Sequence, residues 1–263
     1  MFRSSQVAMP LNLPWLVAGL MLMTEPLDKD QVFAKPLRDV KAFEFNENVA
    51  RVFQDMITRS VPGYELLLQM IGLYTNIFAR DSSNIYDLGC SLGEVSRLIA
   101  RQTRNQDCDI IAVDNSPSMI QKCQQHGGPD NIDWQCDDIQ NIEIRNASMV
   151  VLNLTLLFID QKQRQSLITR IARGLNTGGV LVLSEKILLD RDLENKRMVQ
   201  LHQAFKKTQG YSDLEISQKR SALENVLVPD LPAVHQQRLE QAGFTEVYQC
   251  FRCLNFVSYL AIK

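Results

Sequence analysis

From residue 85 onward, short unbroken apolar runs alternate with longer stretches in which apolar side chains recur every three or four positions. The runs at 85–88, 109–114, 132–136, 147–153 and 180–185 predict buried strands, and the stretches at 93–103, 117–126 and 160–174 predict helices packed on them. Alternation of this kind makes an α/β domain of parallel strands joined by right-handed crossovers. The link from Cys136 to Ala147 is short, carries no helical pattern and departs from that rule. Asn176-Thr-Gly-Gly179 is expected to end the preceding helix through a left-handed residue and to start the next strand. A largely helical insertion follows at 192–229, in which Ser212-Asp-Leu-Glu215 reads as a capping box. A helix at 231–242 then leads to strands at 244–251 and 254–262, so close together that only a hairpin can join them, and the last strand must pair antiparallel.

Ahead of the first strand, Val49, Val52, Phe53, Met56 and Ile57 have helical spacing behind a candidate N-cap at Asn46. Val61-Pro-Gly-Tyr64 breaks that helix and a second carries Leu66 to Phe78. Because the pair (46–80) precedes the sheet, it is expected to lie over the mouth of the site as a lid. Residues 43–263 read as a single domain, and 1–42 as a poorly ordered extension that is functionally silent over 1–39. Within it, Met9 to Met23 is apolar but too short and proline-broken for a comfortable membrane span. No small-x-small cleavage site follows, so the stretch reads as translation from an upstream start, with Met21 or Met23 as the natural beginning.

At 263 residues, with 45% hydrophobic and 22% charged, the chain can bury one large core without metal or disulfide staples. A net charge of -2 gives direct nucleic-acid binding little electrostatic support. The six cysteines lie mostly in apolar patterns and read as small buried hydrophobes in a reducing cytoplasm. Cys250-Phe-Arg-Cys253 has no second pair or nearby histidine to complete a metal site, and cysteines three apart on a strand diverge. No metal is expected. His126, His202 and His235 show no paired spacing and read as surface or packing residues.

The candidate chemistry starts at residues 85–94, I-Y-D-L-G-C-S-L-G-E, where an apolar strand runs into a carboxylate and a glycine loop. A second strand ends in Asp114, 25 residues beyond Gly89. In dinucleotide and adenosyl folds an acid so placed accepts from ribose hydroxyls while the loop approaches the rest of the ligand. Asp114 could also cap the helix beginning near Pro117, as could Asn115. Ser91 stands where many adenosyl folds have a second glycine, so the backbone approaches less closely, but its hydroxyl can bond the ligand. Asp137 and Asp138 both follow the third strand, where a carboxylate can accept from an adenine amine beside the backbone N–H of Ile139. Asn153 ends its strand at the carboxyl end, where sites of open parallel sheets collect. It continues as Leu-Thr-Leu rather than the Pro-Pro-Tyr that suggests amino-group methylation. A parallel sheet ending in an antiparallel hairpin is the mark of the Rossmann-like S-adenosylmethionine (SAM)-dependent methyltransferase fold, so seven strands are expected.

Six segments sharpen this: R-S-V-P-G-Y (59–64), Y-D-L-G-C-S (86–91), I-A-V-D-N-S-P-S-M-I (111–120), N-A-S-M-V-V-L-N (146–153), L-V-L-S-E-K (181–186) and G-Y-S-D-L-E-I-S-Q-K-R (210–220). From about Phe43 to the C-terminus the chain resembles the carboxy-S-adenosyl-L-methionine synthase family. The 210–220 segment carries most weight, because methyltransferases at large do not share it. The resemblance implies an enzyme that carboxylates the sulfonium methyl of SAM with the carboxyl that prephenate loses on becoming phenylpyruvate. The product, carboxy-S-adenosyl-L-methionine, serves a tRNA carboxymethyltransferase acting on wobble uridine. It implies a cytoplasmic homodimer with no membrane contact. As ligand-binding positions it implies Tyr64, Gly89, Cys90, Ser91, Asp114, Asn115, Asp138, Ile139, Asn153 and Arg220, and it chooses Asp138 over Asp137. Without it, Cys90 reads as loop packing, Tyr64 as packing beneath the lid, and Arg220 as a surface ion pair with Glu224, worth little. With it, the Arg220 guanidinium grips the carboxylate of the carboxymethyl sulfonium. Prephenate contacts stay unassigned, with Arg59 as no more than a guess. The rival readings are an ordinary small-molecule methyltransferase and a non-catalytic adenosyl-binding protein.

Overall fold

The longest apolar runs become the middle of the sheet. In the computed structural model, which describes residues 28–263, the strands are β1 (Ser83–Leu88), β2 (Cys108–Asp114), β3 (Ile132–Cys136), β4 (Ala147–Asn153), β5 (Leu175–Lys186), β6 (Glu246–Cys253) and β7 (Phe256–Ile262). They form one sheet in the order β3-β2-β1-β4-β5-β7-β6. The first five are parallel, whereas β7 pairs antiparallel with both β5 and β6. This is the expected seven-stranded methyltransferase-type sheet.

Side chains alternate across β4, as strand geometry demands. Met149 and Val151 enter one cluster with Ile71 and Tyr74 of helix α2 (Tyr64–Phe78) and Ile99 of α3 (Glu94–Gln102). Val150 and Leu152 enter the opposite cluster with Leu167 and Ile171 of α5 (Gln161–Gly174) and Leu239 of α8 (Pro232–Ala242). A sheet buried on both faces needs continuous apolar strands, which is why these runs are unbroken.

The order reverses between β1 and β4: the chain moves outward from β1 through α3, β2, α4 (Pro117–Gln125) and β3, then returns to β4 on the other side of β1. Ligands collect beyond the carboxyl ends of strands at such a switch point. Helix α1 (Glu47–Ser60) begins as expected, with Asn46 Oδ1 accepting from Val49 N–H at 3.2 Å. The insertion supplies α6 (Asp192–Thr208) and α7 (Asp213–Leu223), the latter opened by the Ser212–Glu215 capping box.

Three expectations change. Only α1 and the first turn of α2 cover the site; the rest of α2 packs on the sheet, with Leu67 and Ile71 each 1% exposed, because its apolar face is continuous with the core. The left-handed residue expected to end α5 instead lies within β5, at Gly178 with φ 72°; α5 stops at Gly174 and Leu175 is already extended. The segment 28–42 is packed rather than loose. Phe33 and Phe43 stack at 6.5 Å and join Val49, Val52, Met56 and Ala222 in a further cluster. Gln218 of α7 donates to the carbonyls of Phe33 and Lys35 at 2.9 and 3.0 Å and accepts from Leu37 N–H at 2.7 Å. The expectation for the apolar stretch 9–23 lies outside the described residues. Among the described residues no helix is long and apolar enough to cross a membrane.

Candidate active site

At the carboxyl ends of β1, β2 and β4 lies a cavity of about 250 Å³, roofed by α1 and the α6–α7 insertion. The β1–α3 loop forms its floor. Gly89 has φ 85°, and a Cβ there would meet the Thr155 hydroxyl at 2.4 Å, so this position needs glycine for conformation and for space. Ser91 takes the same left-handed backbone at φ 53° without being glycine. Asp114 holds it there: Oδ2 accepts from Ser91 N–H at 2.9 Å, and Oδ1 accepts from Ser116 N–H, also at 2.9 Å. Burial pushes the Asp114 carboxyl up, opposed by those two N–H groups. The capping task weighed for Asp114 and Asn115 belongs to Ser116, whose Oγ accepts from Met119 N–H at 3.3 Å.

Asp138 lines the cavity, while Asp137 is exposed and accepts from Asn141 at 2.9 Å. Arg170 donates to the carbonyls of Ile139 and Gln140 at 3.0 and 2.5 Å and so fixes that loop from behind. Asn153 Oδ1 is buried without a partner, which marks it for a ligand donor. Tyr64 is buried; its hydroxyl donates to Glu94 at 3.0 Å, and Glu94 also accepts from Gln54 of α1 at 3.0 Å. Burial, followed by the Glu94 charge, raises the Tyr64 hydroxyl well above its ordinary value, so it remains a donor. Beneath the loop, burial raises Asp87 to about 7, although Ser96 donates to it at 2.5 Å.

Nine of the ten expected positions, Tyr64, Gly89, Cys90, Ser91, Asp114, Asn115, Asp138, Ile139 and Asn153, thus converge on one cavity. Backbone turn, acids and the unpartnered amide suit an adenosyl ligand. Arg220 is exposed on α7 and does not line this cavity, and the pair with Glu224 is not formed among the described residues. It stands near Lys186, whose ammonium is depressed by burial first and by the Arg220 charge second. Arg59 is committed elsewhere: it pairs with Asp55 at 2.8 Å, donates to the Gln209 carbonyl at 2.8 Å and stacks 3.9 Å above the Tyr211 ring.

Sequence reasoning missed the opposite wall. Lys186 from the end of β5, His202 and Lys206 from α6, and Lys219 from α7 all line the same cavity. Burial, then Lys219 and Lys186, lowers Lys206 to about 7; burial also lowers Lys219 to about 8 despite Asp30 at 3.6 Å. His202, read as surface or packing, is buried. It donates from Nε2 to the Ser60 carbonyl at 2.8 Å, and burial followed by the lysines lowers it to about 3, so it stays neutral. His235 is buried against Tyr259 and His126 is exposed, as their spacing suggested. Of the cysteines, only 90, 108 and 123 are buried; Cys136 and Cys250 are exposed because each sits on an edge strand, β3 or β6.

A model of the methyltransferase domain matches residues 85–179. A carboxy-S-adenosyl-L-methionine synthase of Trichlorobacter lovleyi is 48% identical over 239 residues, covering 89% of this chain and 98% of that protein. The chain belongs to the carboxy-S-adenosyl-L-methionine synthase family. A synthase of Vibrio campbellii is 45% identical over 245 residues, covering 92% of this chain and 100% of that one. Solved structures support the fold alone. Human N-acetylserotonin methyltransferase in complex with SAM aligns with a TM-score of 0.57 at 18% identity, covering 82% of this chain and 55% of that one. The magnesium protoporphyrin IX methyltransferase of Synechocystis aligns with a TM-score of 0.55 at 12% identity, covering 79% and 87%. The nine converging residues line one part of this cavity, and Lys186, Lys206 and Lys219 line another.

Proposed function

We propose that this chain converts SAM and prephenate to carboxy-S-adenosyl-L-methionine and phenylpyruvate. One observation carries the reading beyond family membership. The 210–220 segment lies partly on α7, and α7 brings Lys219 to the same cavity as the nine converging residues, where Lys186 and Lys206 join it. A sulfonium is itself a cation, and ammonium groups beside it repel it unless an anion lies between them. An ordinary methyl acceptor has no need of that charge; a dicarboxylate does.

In this reading Asp114 accepts from the ribose hydroxyls, Asp138 and the Ile139 N–H address adenine, and Gly89, Cys90 and Ser91 present backbone to the methionine portion. Asn153 and Tyr64 contact the ligand from β4 and from the roof. Prephenate releases carbon dioxide and hydroxide as its ring aromatises. The hydroxide takes a proton from the sulfonium methyl, and the resulting carbanion attacks the carbon dioxide, so water, phenylpyruvate and the carboxylated sulfonium leave in balance. The α1 roof keeps out water that would reprotonate the carbanion. The chain works as a cytoplasmic homodimer that supplies a tRNA carboxymethyltransferase, and Arg220, which does not line the cavity of its own chain, grips the new carboxylate in the cavity of the partner protomer through paired charge-assisted hydrogen bonds.

Turnover tests this directly: purified protein with SAM and prephenate yields phenylpyruvate and carboxylated SAM in equal amounts. A methylated product with no carboxylated SAM establishes the methyltransferase reading instead. Adenosyl binding without prephenate-dependent turnover establishes the non-catalytic one. Arg220→Lys is expected to keep the charge but lose the fork, lowering turnover roughly tenfold or more.

A further inference from the structure

The cationic wall has a composition that the adenosyl ligand does not explain. The ammonium groups of Lys186 and Lys206 make no hydrogen bond or ion pair among the described residues. Lys219 donates to Ser60 Oγ at 3.0 Å and lies 3.6 Å from Asp30, the one carboxylate at ion-pair distance from these three groups among the described residues. Of the three ammonium groups that β5, α6 and α7 bring to the cavity, only that of Lys219 therefore has an ion-paired carboxylate among the described residues, an arrangement that costs free energy until an anion enters. The neighbouring wall has the opposite character. Phe45 makes edge contacts with Phe53 at 6.0 Å and Phe158 at 5.2 Å, and all three line the cavity with Phe43.

We propose that Lys186, Lys206 and Lys219 form the subsite for the carboxylate that the second substrate retains, the one on its pyruvyl arm, leaving the ring and the carboxylate to be expelled against the phenylalanine wall. This rests on the proposed reaction for the identity of the substrate. The assignment between the two carboxylates follows from the chemistry of decarboxylation. Negative charge leaves a carboxylate as its carbon dioxide departs, so ammonium groups clasping that carboxylate stabilise the ground state more than the transition state and slow the step. Apolar surroundings do the reverse. A carboxylate that survives the reaction can be held by charge at no such cost, and its hold fixes where the carbon dioxide is released. His202 closes this subsite without competing for it, since its Nε2–H is committed to the Ser60 carbonyl.

Phenylpyruvate is the probe, because it keeps only the retained carboxylate. Its binding to the full chain loaded with S-adenosylhomocysteine is measured by calorimetry for wild type, Lys186→Met, Lys206→Met and Lys206→Arg, with Lys196→Met of the exposed face of α6 as control. We expect saturable binding to wild type and control, a loss of about tenfold or more in each methionine variant as a charged hydrogen-bond partner disappears, and partial recovery in Lys206→Arg. S-adenosylhomocysteine affinity, which reports that each variant is folded, is expected to stay within about twofold of wild type. Phenylpyruvate that fails to bind wild type, or that binds the methionine variants equally well, overturns the subsite. Prephenate turnover is scored separately: lysine-dependent phenylpyruvate binding in a protein that never carboxylates SAM upholds the subsite and removes the proposed reaction.

Discussion

Asp114 and Gly89 show how much one position can carry. Asp114 spans two backbone N–H groups at 2.9 Å and still presents its carboxylate to the cavity. Asp114→Asn replaces a charged acceptor with a neutral amide, and we expect S-adenosylhomocysteine affinity, followed by calorimetry, to fall roughly 10- to 100-fold. An affinity equal to wild type removes Asp114 from the site. Gly89→Ala puts a Cβ 2.4 Å from Thr155 in a left-handed conformation; the conformation alone costs about 1–2 kcal/mol, and the melting temperature is expected to drop with ligand binding lost. These positions were legible because a strand running into a loop and a second strand ending in an acid are local patterns. Lys186, Lys206 and Lys219 were not. Each stands on a different element, and only tertiary packing shows that they face one space. Lys219 was hidden by its neighbour: the sequence drew attention to Arg220, which the helix turns outward.

Among the elements, the insertion and the 28–42 segment act together. Asp30 is 1% exposed, accepts from the Tyr211 hydroxyl at 2.5 Å and lies 3.6 Å from Lys219, tying the segment to α7. Asp30→Ala leaves Lys219 buried without its carboxylate, so we expect a loss of about 3 kcal/mol in chemical denaturation; no loss shows that the segment is not part of the fold's stability. Lys206 gives a pH test. Its pKa falls from an ordinary 10.5 to about 7 on folding, so between those values the unfolded chain holds a proton that the ligand-free folded chain has released. The stability cost of Lys206 is therefore full below about pH 7 and vanishes towards the unfolded value as pH rises. Lys206→Met is expected to raise the melting temperature most below pH 7 and to converge on wild type near pH 10. Equal curves at every pH show that the ammonium is solvated. The parallel strands and the antiparallel hairpin could be read from apolar runs and link lengths. The role of α2 could not, because a lid helix and a sheet-covering helix share one periodicity. Nor could Gly178 be placed, since a left-handed glycine serves a helix end or an irregular strand equally well.

At the scale of the molecule, the net charge of -2 conceals a separation that matters more than the total. Carboxylates from β1, β2 and the loop after β3 gather at one end of the cavity, and ammonium groups from β5, α6 and α7 gather at the other. The proposed reaction needs that separation: a cationic sulfonium beside the carboxylates and a dicarboxylate beside the ammonium groups would meet in the middle, where carboxyl transfer between them takes place. The measurement that bears most directly on this is mass analysis of the adenosyl product after incubation with SAM and prephenate labelled with carbon-13 at its ring carboxyl. We expect an adenosyl species heavier than SAM by one carbon dioxide and carrying the label. Unchanged SAM, or S-adenosylhomocysteine with a methylated partner, contradicts the account.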